Sequence, residues 1–413
     1  MKLVLRAQNV YSLVLAYMLS FLALLNCGNA ILNIVGLHTQ LDTVVLFGGL
    51  VGLIAIGLTL SVIDRSRFVK LDVIALFILF GASFMISALL DSANANLLFT
   101  SWTDVFANPV YVLFLYTLTG YLFARRLTDY ECFKKVFGVF SYVVVVISVI
   151  VFFFAKGSSA SQYMTFSYNM LTQLFFLLVN KPEKHKIFHY ITVSLGLFAF
   201  VFGGARGALI ALILTYLMFY IINHKTELKS IIIYSAGAVA IVVLSLFKKV
   251  IFVLIEKFLD ALSIESRTFE YLLNEEVLSD SNRINFYKES LNNTGLLGKG
   301  LMGDRIILGS YPHNLFLEIF VQYGWILGLV VVLAICAAIG IPLFKKTRAE
   351  FIFIIMLFPC GFLKLMMTGS YLNQEPAFYI LLGFCVNAIV RSNGDANTND
   401  KHSIRSGQYR EDS

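Results

Sequence analysis

Six residues from the middle of the chain onward could do chemistry together: Arg206, Arg283, Arg305, His313, Asn314 and Glu318. A guanidinium fork matches phosphate oxygens two at a time, so the three arginines suit an anionic, phosphate-bearing substrate. His313 follows Pro312 and precedes Asn314, at the start of a long apolar run. A helix beginning there would disfavour the imidazolium and keep the ring neutral, able to take a proton from a hydroxyl. Asn314 would bind substrate, and Glu318, five residues after His313, would orient His313 or bind substrate. Each residue also has a plainer role open to it. Arg206 could snorkel to an interface, loop arginines are usually solvated, a lone histidine is more often structural, and a glutamate can face a wet cavity. No Asp-rich or His-rich ligand set accompanies these residues, so neither a metal nor another cofactor is expected. The five cysteines show no ligand or disulfide spacing.

These residues must be positioned by membrane spans. Of the 413 residues, 58% are hydrophobic and 14% charged, and the mean hydropathy is +0.80. A soluble domain could not hide that apolar surface, so the fold class is an all-α, polytopic integral membrane protein. Apolar runs long enough to cross a bilayer lie near 11–35, 43–62, 71–91, 108–124, 137–155, 164–180, 188–204, 207–223, 230–247, 314–343, 350–366 and 376–390. Gly28-Asn29-Ala30 loosely resembles a signal-peptide cleavage site, but the first run continues past it and reads as an uncleaved span. The runs amount to about twelve transmembrane helices, with both termini cytoplasmic, because most Lys and Arg fall in alternate loops. The net charge of +7 is therefore topological, and no nucleic-acid partner is expected.

Four regions result. Residues 1–247 hold the first nine spans. Residues 248–313 form a large extracytoplasmic loop, 314–390 the last three spans, and 391–413 a polar tail in the cytoplasm. In the loop, Ile251 to Leu262 show a helical apolar stripe suited to the membrane surface. A second helix starts near Asp280-Ser281-Asn282, ends by Asn293 or Gly295, and carries Arg283 in its first turn. Gly295, Gly298, Gly300, Gly303 and Gly309 then make a segment able to bring backbone close to a ligand. Lys364 and Glu375, near the outer ends of the last two spans, read as interfacial.

Three stretches together resemble the bacterial O-antigen polymerase and O-antigen ligase superfamily. They are GGARGALIALIL at 203–214, SNRINFYKESLNNTGLLGKGL at 281–301 and SYPHNLFLEIFVQYGWILGL at 310–329. The fragment YMTFSYNML at 163–171 is similar to the family as well. The resemblance implies a GT-C-like membrane glycosyltransferase of the bacterial inner membrane that works without a metal. Its donor and acceptor would be oligosaccharides linked to undecaprenyl diphosphate, joined at the periplasmic face. A chain-length regulator and a flippase would be further partners. It gives Arg206 and Arg283 the role of binding the diphosphate, and His313 that of activating the acceptor hydroxyl. The compact Tyr-Pro-His-Asn entry favours a polymerase. A ligase, whose acceptor is the lipid A core, shares the arginines and the histidine. A secondary transporter of an anionic solute also suits twelve spans, but the chain shows no internal repeat.

Overall fold

The computed structural model describes residues 7–35, 41–63, 71–99, 110, 112–154, 160–202, 206–223, 282–345, 348–373 and 376–390. The expected span at 230–247, the surface helix at 251–262, Glu375 and the polar tail lie outside the described residues, as do the side chains of Arg206 and Arg283. The protein is an all-α polytopic membrane protein: the described residues are overwhelmingly helical, and no strand occurs among them.

The helices are α1 (Ala7–Val35), α2 (Leu41–Ile63), α3 (Leu71–Leu90), α4 (Ser92–Phe99), α5 (Leu118–Arg126), α6 (Tyr130–Phe154), α7 (Ala160–Val179), α8 (Lys186–Phe202), α9 (Arg206–Asn223), α10 (Asn282–Asn293), α11 (Gly303–Leu308), α12 (Leu315–Lys345), α13 (Arg348–Phe358), α14 (Lys364–Met367) and α15 (Pro376–Val390). Every expected span except that at 230–247 coincides with one or two of them. Among the described residues, six helical stretches are long and apolar enough to cross a membrane by length and composition. π-helical turns lie at Val112–Thr117, before α5, and at Pro359–Leu363, between α13 and α14.

Two apolar clusters hold the helices together. One joins α1, α6, α7, α9, α13 and α15 through large buried side chains such as Phe21, Phe133, Phe175 and Phe384. The other joins α3, α4, α12 and the 371–379 segment through Phe80, Leu98, Ile319, Leu372 and Tyr379. The second surrounds the polar residues that make the site.

The glycine-rich segment departs from the sequence expectation. Gly298 approaches protein backbone, Gly300 the side chains of Ser87 and Asn94, and Gly309 has open space around it. A Cβ on Gly298 would lie 2.0 Å from the Gln322 carbonyl oxygen, and one on Gly324 would lie 2.4 Å from that of Leu296. Gly324 has φ 79° and ψ 176°, which breaks α12. Carbonyls freed by the break accept N–H groups of the loop: Lys299 donates to Val321 (2.9 Å) and Gly300 to Gln322 (3.0 Å), while Trp325 N–H donates to Gly295 (3.0 Å). Irregular backbone in a membrane protein persists where such partners satisfy it. The loop is held from the other side by α3 and α4. Ser87 Oγ accepts from Leu301 N (2.7 Å), and Asn94 Nδ2 donates to the Lys299 carbonyl (3.0 Å). Before the break α12 buries Leu315, Ile319 and Gln322. After it, the helix exposes Ile326, Leu327, Leu329 and Val330. One sequence run thus contains a protein-packed entry and an apolar outer face.

Candidate active site

His313 sits where three elements meet. It comes after α11 and directly precedes the Asn314 cap of α12. Asn314 Oδ1 accepts from Phe316 N (3.0 Å) and Leu317 N (3.2 Å), satisfying two N–H groups that a helix start leaves open. This is the role the structure gives Asn314. His313 itself has φ 56°, a left-handed conformation uncommon outside glycine and of the kind that gathers at functional sites. Its ring packs on Tyr311, with centroids 4.5 Å apart, and lies 6.1 Å from Phe286 of α10. Arg283 stands three residues before Phe286 on the same helix, a spacing that puts two positions on one face. α10 runs over Asn282–Asn293, in agreement with its cap residues and glycines, with Arg283 in the first turn.

Beneath His313 lies a buried polar cluster centred on Arg305. Its Nη1 donates to Asp304 (3.0 and 3.2 Å) and approaches Glu318 Oε1 at 3.4 Å. Its Nη2 donates to Ser370 Oγ (2.8 Å) and Asn373 Oδ1 (3.4 Å). The guanidinium also lies 5.9 Å from the Tyr311 ring centroid. Ser370 Oγ donates to Glu318, Gln322 Nε2 to Asp304 (2.7 Å), and Tyr371 OH to Gln322 Oε1. Asp304 is 0% exposed and Glu318 1%, so two buried carboxylates share one guanidinium. Burial raises the Asp304 pKa above the ordinary carboxylate value and outweighs the lowering by Arg305 and Gln322. Burial alone would lower that of Arg305, but the carboxylates of Asp304 and Glu318 hold it higher. Burial also lifts the Tyr371 phenol well above its usual value.

This cluster ties α11, the α12 entry and the 368–373 turn into one unit. Arg305, expected to bind substrate, has both terminal nitrogens engaged within the protein. Glu318, expected to orient His313 or bind substrate, is bonded to Ser370 and Arg305. Asp304, Gln322, Ser370 and Tyr371 do not stand out in the sequence. Gln322 carries one signal, since it stands one turn after Glu318 on an apolar helix. Ser370 and Tyr371 carry none, because only the fold brings their turn against α12.

Arg206 begins α9 at the same end of the molecule. The next residue, Gly207, packs so closely that an added Cβ would lie 2.1 Å from the Tyr168 hydroxyl and 3.3 Å from Met367 Sδ. Met367 ends α14, three residues before Ser370. The backbone positions of Arg206 and Arg283 therefore flank the turn and the helix entry that carry Ser370 and His313.

Residues 191–333 match the family model for O-antigen ligase. The match supports the O-antigen polymerase and ligase superfamily that the three motifs resemble, and with it an enzyme of the polymerase or ligase class. It spans Arg206, Arg283, Arg305, His313, Asn314 and Glu318, and ends before Lys364 and the Ser370 turn. No curated protein and no solved structure matches the chain.

Proposed function

We propose that the protein is a polysaccharide polymerase that joins oligosaccharide repeats carried on undecaprenyl diphosphate at the periplasmic face of the inner membrane. The carrying observation is the placement of His313, in a strained backbone at a capped helix entry, against the helix that bears Arg283. His313 takes the proton of the acceptor hydroxyl as its oxygen attacks the anomeric carbon of the donor. The bond from that carbon to the diphosphate oxygen breaks, and the electron pair leaves with the diphosphate. Arg206 and Arg283 hold the diphosphate, and their charge meets the charge developing on it. The Arg305 cluster fixes the helix entry so that the imidazole stays aligned. The arginines take the part a metal ion plays in other transferases, so activity should persist in EDTA.

The polymerase reading is favoured over the ligase by the Tyr311-Pro312-His313-Asn314 entry. The ligase reading has the description of the matching family in its favour. Deleting the gene in its host and resolving the surface polysaccharide on a gel separates the two. Loss of a polymerase leaves a core bearing one repeat and no ladder. A bare core with polymer stranded on the lipid carrier would establish the ligase and overturn the polymerase. An intact ladder would overturn both.

A further inference from the structure

Lys364 lies outside the stretch that matches the family model, and its sequence context suggests only an interfacial lysine. Its surroundings suggest more. The Nζ sits 5.8 Å from the centroid of the Tyr168 ring. The Tyr168 hydroxyl is the group that lies against Gly207, the residue after Arg206. Lys364 and the start of α9 thus approach the same tyrosine, one at its ring and the other at its hydroxyl end.

The chain makes a local departure to put Lys364 there. The π turn Pro359–Leu363 ends immediately before it. Such a turn inserts one extra residue, rotating the next helical turn by roughly 100° about the axis relative to a continuous α-helix. The π turn is held on both flanks. Cys360 Sγ contacts the Tyr168 carbonyl at 3.4 Å, and a Cβ on Gly361 would lie 2.8 Å from the Ala377 carbonyl oxygen. A lysine on an apolar helix is costly unless it reaches water, an aromatic face or an anion. Here the helix is rewound just before the lysine, at the end of the molecule that carries Arg206 and His313.

We propose that Lys364 is a further cation of the diphosphate site, acting on the charge that appears during transfer. The proposal rests on the donor reading above. A diphosphate esterified at both ends carries two negative charges, which Arg206 and Arg283 can balance. Breaking the bond to the anomeric carbon leaves the electron pair on the released diphosphate and adds a negative charge there, while the acceptor proton goes to His313. A third cation is then worth more in the transition state than in the ground state, so it raises kcat more than it lowers KM. A lysine suits that task as a mobile point charge without a planar fork.

The test uses the full chain in lipid nanodiscs. Lys364→Met should lower kcat about tenfold or more while KM for the lipid-linked donor moves far less. Lys364→Arg should restore most of the rate. Binding of undecaprenyl diphosphate should weaken by about the same factor, and that of undecaprenyl monophosphate should change little. In the wild type, undecaprenyl diphosphate should protect the Lys364 amine from an acylating reagent, a measurement independent of whether the methionine variant folds. Wild-type kcat in a folded Lys364→Met, or absent protection despite binding of undecaprenyl diphosphate, would overturn the assignment. A loss of thermal stability with kcat unchanged would reduce Lys364 to a clamp on Tyr168 and overturn it as well. If the wild type binds no undecaprenyl diphosphate at all, the donor reading itself fails.

Discussion

Arg125, which is buried, and Arg305, which is partly exposed, stand at opposite ends of α3 and are neutralised differently. Arg125, at the end where α3 begins, donates to Asp72 (2.6 Å), with Tyr121 on the same carboxylate and Asn387 on the other side of the guanidinium. One carboxylate meets one guanidinium, and Tyr121 and Asn387 complete their hydrogen bonds. Arg305, at the end where α3 finishes near Ser87, lies between two carboxylates, beside a strained histidine and an interrupted helix. The first arrangement is a closed pair that joins α3, α5 and α15. The second carries an excess of negative groups over cations, so its charge depends on a proton. A membrane protein can bury an arginine for architecture alone, and burial does not mark a site. What distinguishes the Arg305 end is two carboxylates on one guanidinium beside the broken backbone of α12.

The largest separation between the two ends should come from His313. His313→Ala should reduce turnover by about 10²–10⁴-fold if base catalysis is its whole role, with the folded protein retained. Ala at Arg206 or Arg283 should cut turnover by about tenfold to a hundredfold, with poor rescue by Lys. Initial rates on purified lipid-linked donor, beside a melting curve for each variant, check this. Unchanged rates in all three would remove these residues from the site.

Arg125→Ala should behave in the opposite way. Leaving Asp72, which is 31% exposed and still bonded to Tyr121, without its partner should cost about 1–3 kcal/mol of stability. Specific activity of the protein that still folds should stay close to that of the wild type. A denaturation series in detergent reads the first effect. If rate fell without loss of stability, the contrast between the ends would be wrong.

Gly324→Ala should be destabilising by roughly 1–3 kcal/mol, since φ 79° with ψ 176° is a backbone region reserved for glycine and the added carbon would meet the Leu296 carbonyl. Gly340→Ala, on the same helix with open space around it, should be nearly neutral. Parallel melting curves of the two variants test whether the broken helix is locked by the loop.

The smallest effect concerns pH. The folded-state pKa of Asp304 is raised, so between the ordinary carboxylate value and the raised one the fold keeps a proton that the unfolded chain has lost. Stability from this group is then fully present at low pH and declines as pH rises through the folded value. Asp304→Asn should flatten that part of the decline. Melting temperature measured at intervals from acid to mildly alkaline pH reads the slope, which should stay as in the wild type for Arg125→Ala. An Asp304→Asn profile parallel to the wild type would mean that folding does not change the hold of Asp304 on its proton.

The helices, the start of α10 and the entry to α12 were legible in the sequence because they depend on local signals. Apolar length is set by bilayer thickness, and Asn293 and Asn314 bond backbone groups of their own neighbours. The resemblance at 203–214, 281–301 and 310–329 falls on positions that the family match also covers. Local signals could not say what the glycines approach, because the Val321 and Gln322 carbonyls become acceptors only where α12 breaks. Nor could they pair Arg305 with Ser370, sixty-five residues away, or bring Lys364 over Tyr168. Those contacts depend on a π turn and on the packing of helices distant in the chain. The sequence by itself determined that the protein is helical and apolar enough to cross a membrane, and that Arg283, Arg305 and His313 lie along one short stretch of chain. Only the tertiary structure decided which of those cations are spent inside the protein, since that depends on the partners each side chain meets across helices.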